Sequence, residues 1–152
     1  MVLMFGSIEL RKGVGSLLEM ASGPAFPADG QVLVVGRQSA EVRALIAALG
    51  TGLPAGRLIC VDRYVDRQDE WLAFAAADYG WVAYEGFYGP SGVVAQCRQA
   101  NLPMIHRGKG LIGYQLRPAS HADAPWASAH GLQVSFLASS EPRDRGIGEV
   151  IG

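Results

Sequence analysis

"QVLVVGRQSAEVRALIAALGTGLPAGRLICV", Gln31–Val61, holds one complete unit of the fold. Its first six residues, QVLVVG, form an apolar run without polar alternation, the pattern of a strand covered on both faces. Ser39 then caps a helix whose stripe is Val42, Leu45, Ile46 and Leu49, and Gly50 ends it. TGLPAG is a loop, and RLICV (Arg57–Val61) is a second continuous apolar run. Strand, helix and strand in that order make a parallel pair joined by a right-handed crossover.

The same alternation extends in both directions. VLMF (Val2–Phe5) is a strand, followed by the helical segment KGVGSLLEMAS with Val14, Leu17, Leu18 and Ala21 on one stripe. Downstream, DEWLAFAAAD is a helix with acidic residues in its first turn, where the helix dipole favours them. YGWVAY (Tyr79–Tyr84) and LPMIH (Leu102–His106) are strands around the helix SGVVAQCRQAN, Ser91–Asn101. GLIGYQLR is a short helix, HGLQVSF (His130–Phe136) a sixth strand, and EPRDRGIGEVIG the start of a last helix. The pattern predicts one α/β domain over residues 1–152, a six-stranded and mostly parallel sheet with helices on both faces. Such sheets bind ligands beyond the carboxyl ends of their strands. The loops after strands one, three, four and five are the candidates.

Composition narrows the function classes. The formal net charge is -1 and no polybasic arm is visible, which argues against nucleic acid as the main partner. No run is long enough for a membrane span, and the N-terminus lacks the charge order of a signal peptide. A cytoplasmic protein is expected. Cys60 lies in an apolar run and Cys97 in a helical segment, without a zinc spacing, so both are expected as buried thiols and no metal is expected. His106 ends strand five, but no nucleophile–His–acid set has an evident spacing.

Three loops carry chemistry. In FGSIELRKG, Gly6 follows a strand directly, and Arg11 and Lys12 stand at a helix entrance. A glycine turn, two cations and free helix N–H groups suit an anion such as a diphosphate. A solvated turn with two surface cations is the plainer alternative. In EGFYGPSGVV, the amides of Gly89 and Gly92 and the Ser91 hydroxyl can hold phosphate, unless Ser91 serves only as a helix cap. The spacing is neither a Walker loop nor the dinucleotide fingerprint. In VDRYVD, Arg63 and Tyr64 can stack on a nucleobase, though packing of Tyr64 on the surface explains it equally.

Taken in order, four pieces resemble the C-terminal half of group 1 GT-B glycosyltransferases: LMFGSIELRKGVGSLLEMA, RLICVDRYVDRQDEWLAFAAADYGWVAY, GPSGVVAQCRQANLPMI, and GLIG with HGLQV. The resemblance covers nearly the whole chain. It implies a Rossmann-like three-layer α/β/α fold, one half of a GT-B enzyme, with a nucleotide-diphosphate sugar as co-substrate and no other cofactor. It assigns the diphosphate to Gly6, Arg11, Lys12, Gly89, Ser91 and Gly92. It assigns the nucleoside to Arg63, Tyr64, Val65 and Gln96.

Two departures accompany it. Many such enzymes carry a pair of glutamates for sugar and ribose, and those positions fall here on Tyr88 and Gln96. Glu85 stands slightly upstream, so Glu85 and Tyr88 are the candidate sugar contacts. The resemblance also implies an N-terminal acceptor-binding half that this chain lacks, so the domain alone is expected to be inactive. A non-catalytic interaction or scaffold module derived from a glycosyltransferase is the alternative. A response-regulator domain is disfavoured, because the first strand does not end in paired acidic residues.

Overall fold

A computed structural model describes residues 1–86 and 91–138. In chain order the elements are β1 (Val2–Phe5), α1 (Val14–Ser22), β2 (Val32–Val35), α2 (Ala40–Leu49), β3 (Leu58–Val61) and α3 (Arg67–Ala76). They continue with β4 (Tyr79–Trp81), α4 (Gly92–Gln99), β5 (Met104–His106), α5 (Gly110–Gln115), β6 (Ser120–Ala122), α6 (Pro125–Ser128) and β7 (Gln133–Phe136). The strands form one sheet in the order β3-β2-β1-β4-β5-β7-β6. The first five are mutually parallel, and β7 runs antiparallel between β5 and β6. Among the described residues the protein is therefore α/β with a single, mostly parallel seven-stranded sheet.

The central strands are apolar because both faces are covered. Every residue of β1 and β2 is buried, with Leu3 opposite Leu33 and Met4 opposite Val34. α1 buries Val14, Leu17, Leu18 and Ala21, the predicted stripe, and packs on α2. Phe74 of α3 meets Phe5 of β1 edge-on, with ring centroids 5.1 Å apart. Gln96 of α4 donates to Glu70 of α3, tying those two helices together.

Ser39 caps α2 as its position implies, its hydroxyl accepting from the Val42 amide. Asp66 caps α3 in the same way, accepting from Asp69. Glycine is required where β1 and β2 end side by side. Gly36 has φ +131°, and a Cβ there would stand 1.9 Å from the Gly6 carbonyl oxygen. No side chain fits so close a backbone approach.

The structure differs from the sequence expectations in four places. The sheet has seven strands rather than six, because Ser120–Ala122 pairs with β7 although its residues, all exposed, carry no apolar run. The expected sixth strand is antiparallel, since only the short α6 and its loops connect it to β6, and a parallel return needs a longer crossover. Cys60 is exposed, not buried: β3 is a sheet edge, and among the described residues no strand pairs with its outer side. Of the α2 stripe only Val42 is fully buried, and Leu49 is exposed beside the same edge. The expected last helix, residues 141–152, lies outside the described residues. Among the described residues no helix is long and apolar enough to cross a membrane.

Candidate functional site

The site begins where β1 stops. Gly6, at φ +102°, turns the chain out of the sheet, and a 3-10 turn over Leu10–Lys12 brings Lys12 back beneath it. The Lys12 ammonium donates to the Phe5 carbonyl at 2.5 Å and lies 5.4 Å from the centroid of the Tyr84 ring. Lys12 is only 5% exposed. Burial pushes its pKa down to about 8, helped by the charge of Arg11 and opposed by that of Glu9. A Cβ on Gly6 would stand 2.9 Å from the Lys12 nitrogen, so the glycine makes room for the cation. Arg11 donates through Nε to Glu9 at 2.8 Å on the exposed side of the loop.

This loop is stitched to the end of β4. The Trp81 indole N–H donates to the Lys12 carbonyl at 2.6 Å, and the Glu85 amide donates to the Arg11 carbonyl at 2.7 Å. The Tyr84 hydroxyl lies 3.2 Å from Ser91 Oγ, which also caps α4 by accepting from the Val93 amide. Burial raises the Tyr84 pKa, and the bond to Ser91 works against that shift. Gly6, Lys12, Tyr84 and Ser91 thus form one run of contacts across the carboxyl ends of β1 and β4. That is the point where the strand order β3-β2-β1-β4-β5 reverses direction. Gly92 is the exposed first residue of α4. Tyr88 and Gly89 lie outside the described residues.

Beside this run opens a cleft of about 320 Å³, lined by Ser16, Tyr84, Glu85, Gly86, Arg107 and Lys109 over Val82 and Ile112. Glu85 Oε1 accepts from the Ser16 hydroxyl at 2.5 Å and from Arg107 Nη2 at 2.9 Å. Arg107 Nη2 also donates to Ser16 Oγ at 2.8 Å, and Nε donates to the Ala83 carbonyl at 3.3 Å. Glu85, a candidate sugar contact, is therefore held in the cleft. Ser16, Arg107 and Lys109 escaped sequence reasoning. Arg107 follows β5 directly at the carboxyl edge, a position that the strand prediction makes visible. Ser16 sits in the first turn of α1, where nothing in the local pattern marks it.

The nucleoside candidates are not in this cluster. Arg63, Tyr64 and Val65 follow β3, two strands from β1 and so about 10 Å away across the sheet. Arg63 donates to Asp69 at 2.6 Å and to the Tyr64 carbonyl at 3.2 Å. The Tyr64 ring is 75% exposed, with the Arg37 guanidinium 5.3 Å from its centroid. Val65 packs partly against the core. Gln96 Nε2 donates to Glu70 at 2.7 Å, so its amide bridges two helices.

His106 is buried at the end of β5. Its Nδ1 accepts from the Gly108 amide at 3.0 Å, and its Nε2 lies 2.8 Å from Ser135 Oγ. An amide N–H can only donate, so the proton of neutral His106 sits on Nε2. Ser135 then accepts from His106, and its Oγ also lies 3.1 Å from His121 Nδ1. Burial pushes the His106 pKa down to about 4, with the charge of His121 acting in the same direction. The imidazole joins β5 to β7 and fixes the loop that carries Arg107.

Among the described residues there is no group of three or more His, Cys, Asp or Glu that could hold a metal ion. No family model matches the chain, and no curated protein matches it.

Proposed function

We propose that this chain is the donor-binding domain of a GT-B glycosyltransferase, a Rossmann-like three-layer half that binds a nucleotide-diphosphate sugar for transfer to an acceptor. The observation that carries it is the run Gly6–Lys12–Tyr84–Ser91 at the switch point of the sheet, where α/β folds take their ligands. The diphosphate belongs at this run, near Arg11 and the first amides of α4. In that place a guanidinium and an ammonium offset the charge that grows on a departing diphosphate. The sugar belongs in the adjoining cleft, where Glu85 is an acceptor for hydroxyls. The base belongs toward Arg63–Val65, and an acceptor-binding partner domain and a cytoplasmic setting complete the proposal.

Calorimetry with UDP, GDP and ADP tests it. One of the three should bind, and Arg11→Ala should weaken that binding about tenfold, as loss of one charge-assisted contact does. No heat with any of them up to millimolar ligand would remove the donor-site assignment.

A second reading is a non-catalytic interaction module built on the same sheet. The inward engagement of Lys12 by the Phe5 carbonyl and the Gln96–Glu70 bond favour it, since both side chains already serve the fold. Sugar transfer by the chain joined to an acceptor-binding half would eliminate it.

A further inference from the structure

We propose that the cleft beside the switch point selects a sugar that carries a negative charge, of the hexuronate class. This rests on the donor-binding reading and names the substrate class of that site.

The starting point is which polar atoms of the cleft are left over once its internal bonds are made. Glu85 Oε1 takes both the Ser16 hydroxyl and Arg107 Nη2. Its second oxygen keeps its acceptor capacity. Arg107 spends Nη2 on Glu85 and Ser16 and Nε on Ala83, which leaves Nη1 for a ligand. Lys109 lines the same cleft and is exposed, and its ammonium has no hydrogen-bond or ion-pair partner among the described residues. One carboxylate therefore faces two cations, and the cleft walls carry an excess of one positive charge.

The complementary ligand presents a hydroxyl to Glu85 next to an anion for Lys109 and Arg107 Nη1. A neutral hexose supplies only the hydroxyl and leaves Lys109 without a counter-charge. A sugar whose exocyclic carbon is a carboxylate supplies both groups on one ring. Arg107 offers the N–H groups of Nη1 to a carboxylate oxygen, and Lys109 adds a point charge. The apolar floor of Val82 and Ile112 accepts the ring face. Specificity comes from the wrong ligand as much as from the right one, because the neutral sugar would desolvate a cation without pairing it.

Two arms test this with the full chain and Lys109→Met, a change at an exposed side chain outside the core. In the first, backbone amide shifts of Ser16, Gly86 and Ile112 are followed by NMR while methyl glucoside or methyl glucuronoside is added. This arm needs no nucleotide. The glucuronoside should move these amides at about tenfold lower concentration than the glucoside, and Lys109→Met should erase most of that difference. Equal responses, no response to either sugar, or a preference that survives Lys109→Met would overturn the inference. In the second arm, calorimetry compares UDP, UDP-glucose and UDP-glucuronate. Lys109→Met should weaken UDP-glucuronate and leave UDP unchanged; equal weakening of both would place Lys109 on the diphosphate and also overturn it. If UDP, GDP and ADP all fail to bind while the glucuronoside preference holds, the donor reading falls and the anionic subsite stands.

Discussion

Lys12 is the residue where the proposed function and stability pull in opposite directions. Its ammonium is buried with one carbonyl and one aromatic face for company, and its pKa falls from 10.5 to about 8. The unfolded chain therefore binds more protons between those values, so stability should rise as pH increases from about 8 toward 10.5. Below that window the buried charge costs about 3 kcal/mol, against about 1 kcal/mol for the hydrogen bond it makes. Lys12→Met should thus raise stability at pH 7 by about 1–3 kcal/mol in urea denaturation while it weakens nucleotide binding. In the unaltered protein, nucleotide affinity should fall as pH rises through about 8, because the cation proposed to meet the diphosphate discharges. A stability loss in Lys12→Met, together with unchanged binding, would make Lys12 a purely structural residue. The sequence showed a basic pair after a glycine turn, which placed both cations at the right loop. It could not show that one of them folds inward, because that depends on Tyr84, distant in the chain and adjacent only through the pairing of β1 with β4.

At the scale of elements, apolar periodicity located β1, β2, β4, β5 and the helices between them, and the caps at Ser39 and Ser91 stand where their residue types put them. It failed at the sheet's margins. β6 is a polar, exposed edge held by pairing with β7, so no hydrophobic signal marks it. β3 reads as a core strand but lies at the opposite edge, since strand order is absent from local pattern. The antiparallel insertion of β7 brings His106, Ser135 and His121 together, a grouping visible only once β5 and β7 pair. Its consequence is a pH dependence. His106 has its pKa lowered from 6.5 to about 4, so the unfolded chain takes up more protons in that window. Stability should fall as pH drops from about 6.5 to 4, by at most about 3 kcal/mol. His106→Gln should flatten that slope in urea midpoints measured across the window. An unchanged slope would mean that His106 is not held neutral between β5 and β7.

For the molecule as a whole, alternating strands and helices made the α/β class and the predominantly parallel sheet legible from residues alone. The candidate site was legible in part. Gly6, Arg11, Lys12, Ser91 and Glu85 gather at one rim, whereas Ser16, Arg107 and Lys109 join them only through the three-dimensional arrangement. On the proposed reading this rim is a single anion-receiving site at the switch point. The most direct test is an amide NMR titration of the full chain with UDP, GDP and ADP in turn. At least one nucleotide should shift Gly6, Lys12, Tyr84, Ser91 and Gly92 together, with a common saturation curve, and leave the β6–β7 strand pair unmoved. Shifts confined to other surfaces, or none at millimolar nucleotide, would contradict the account.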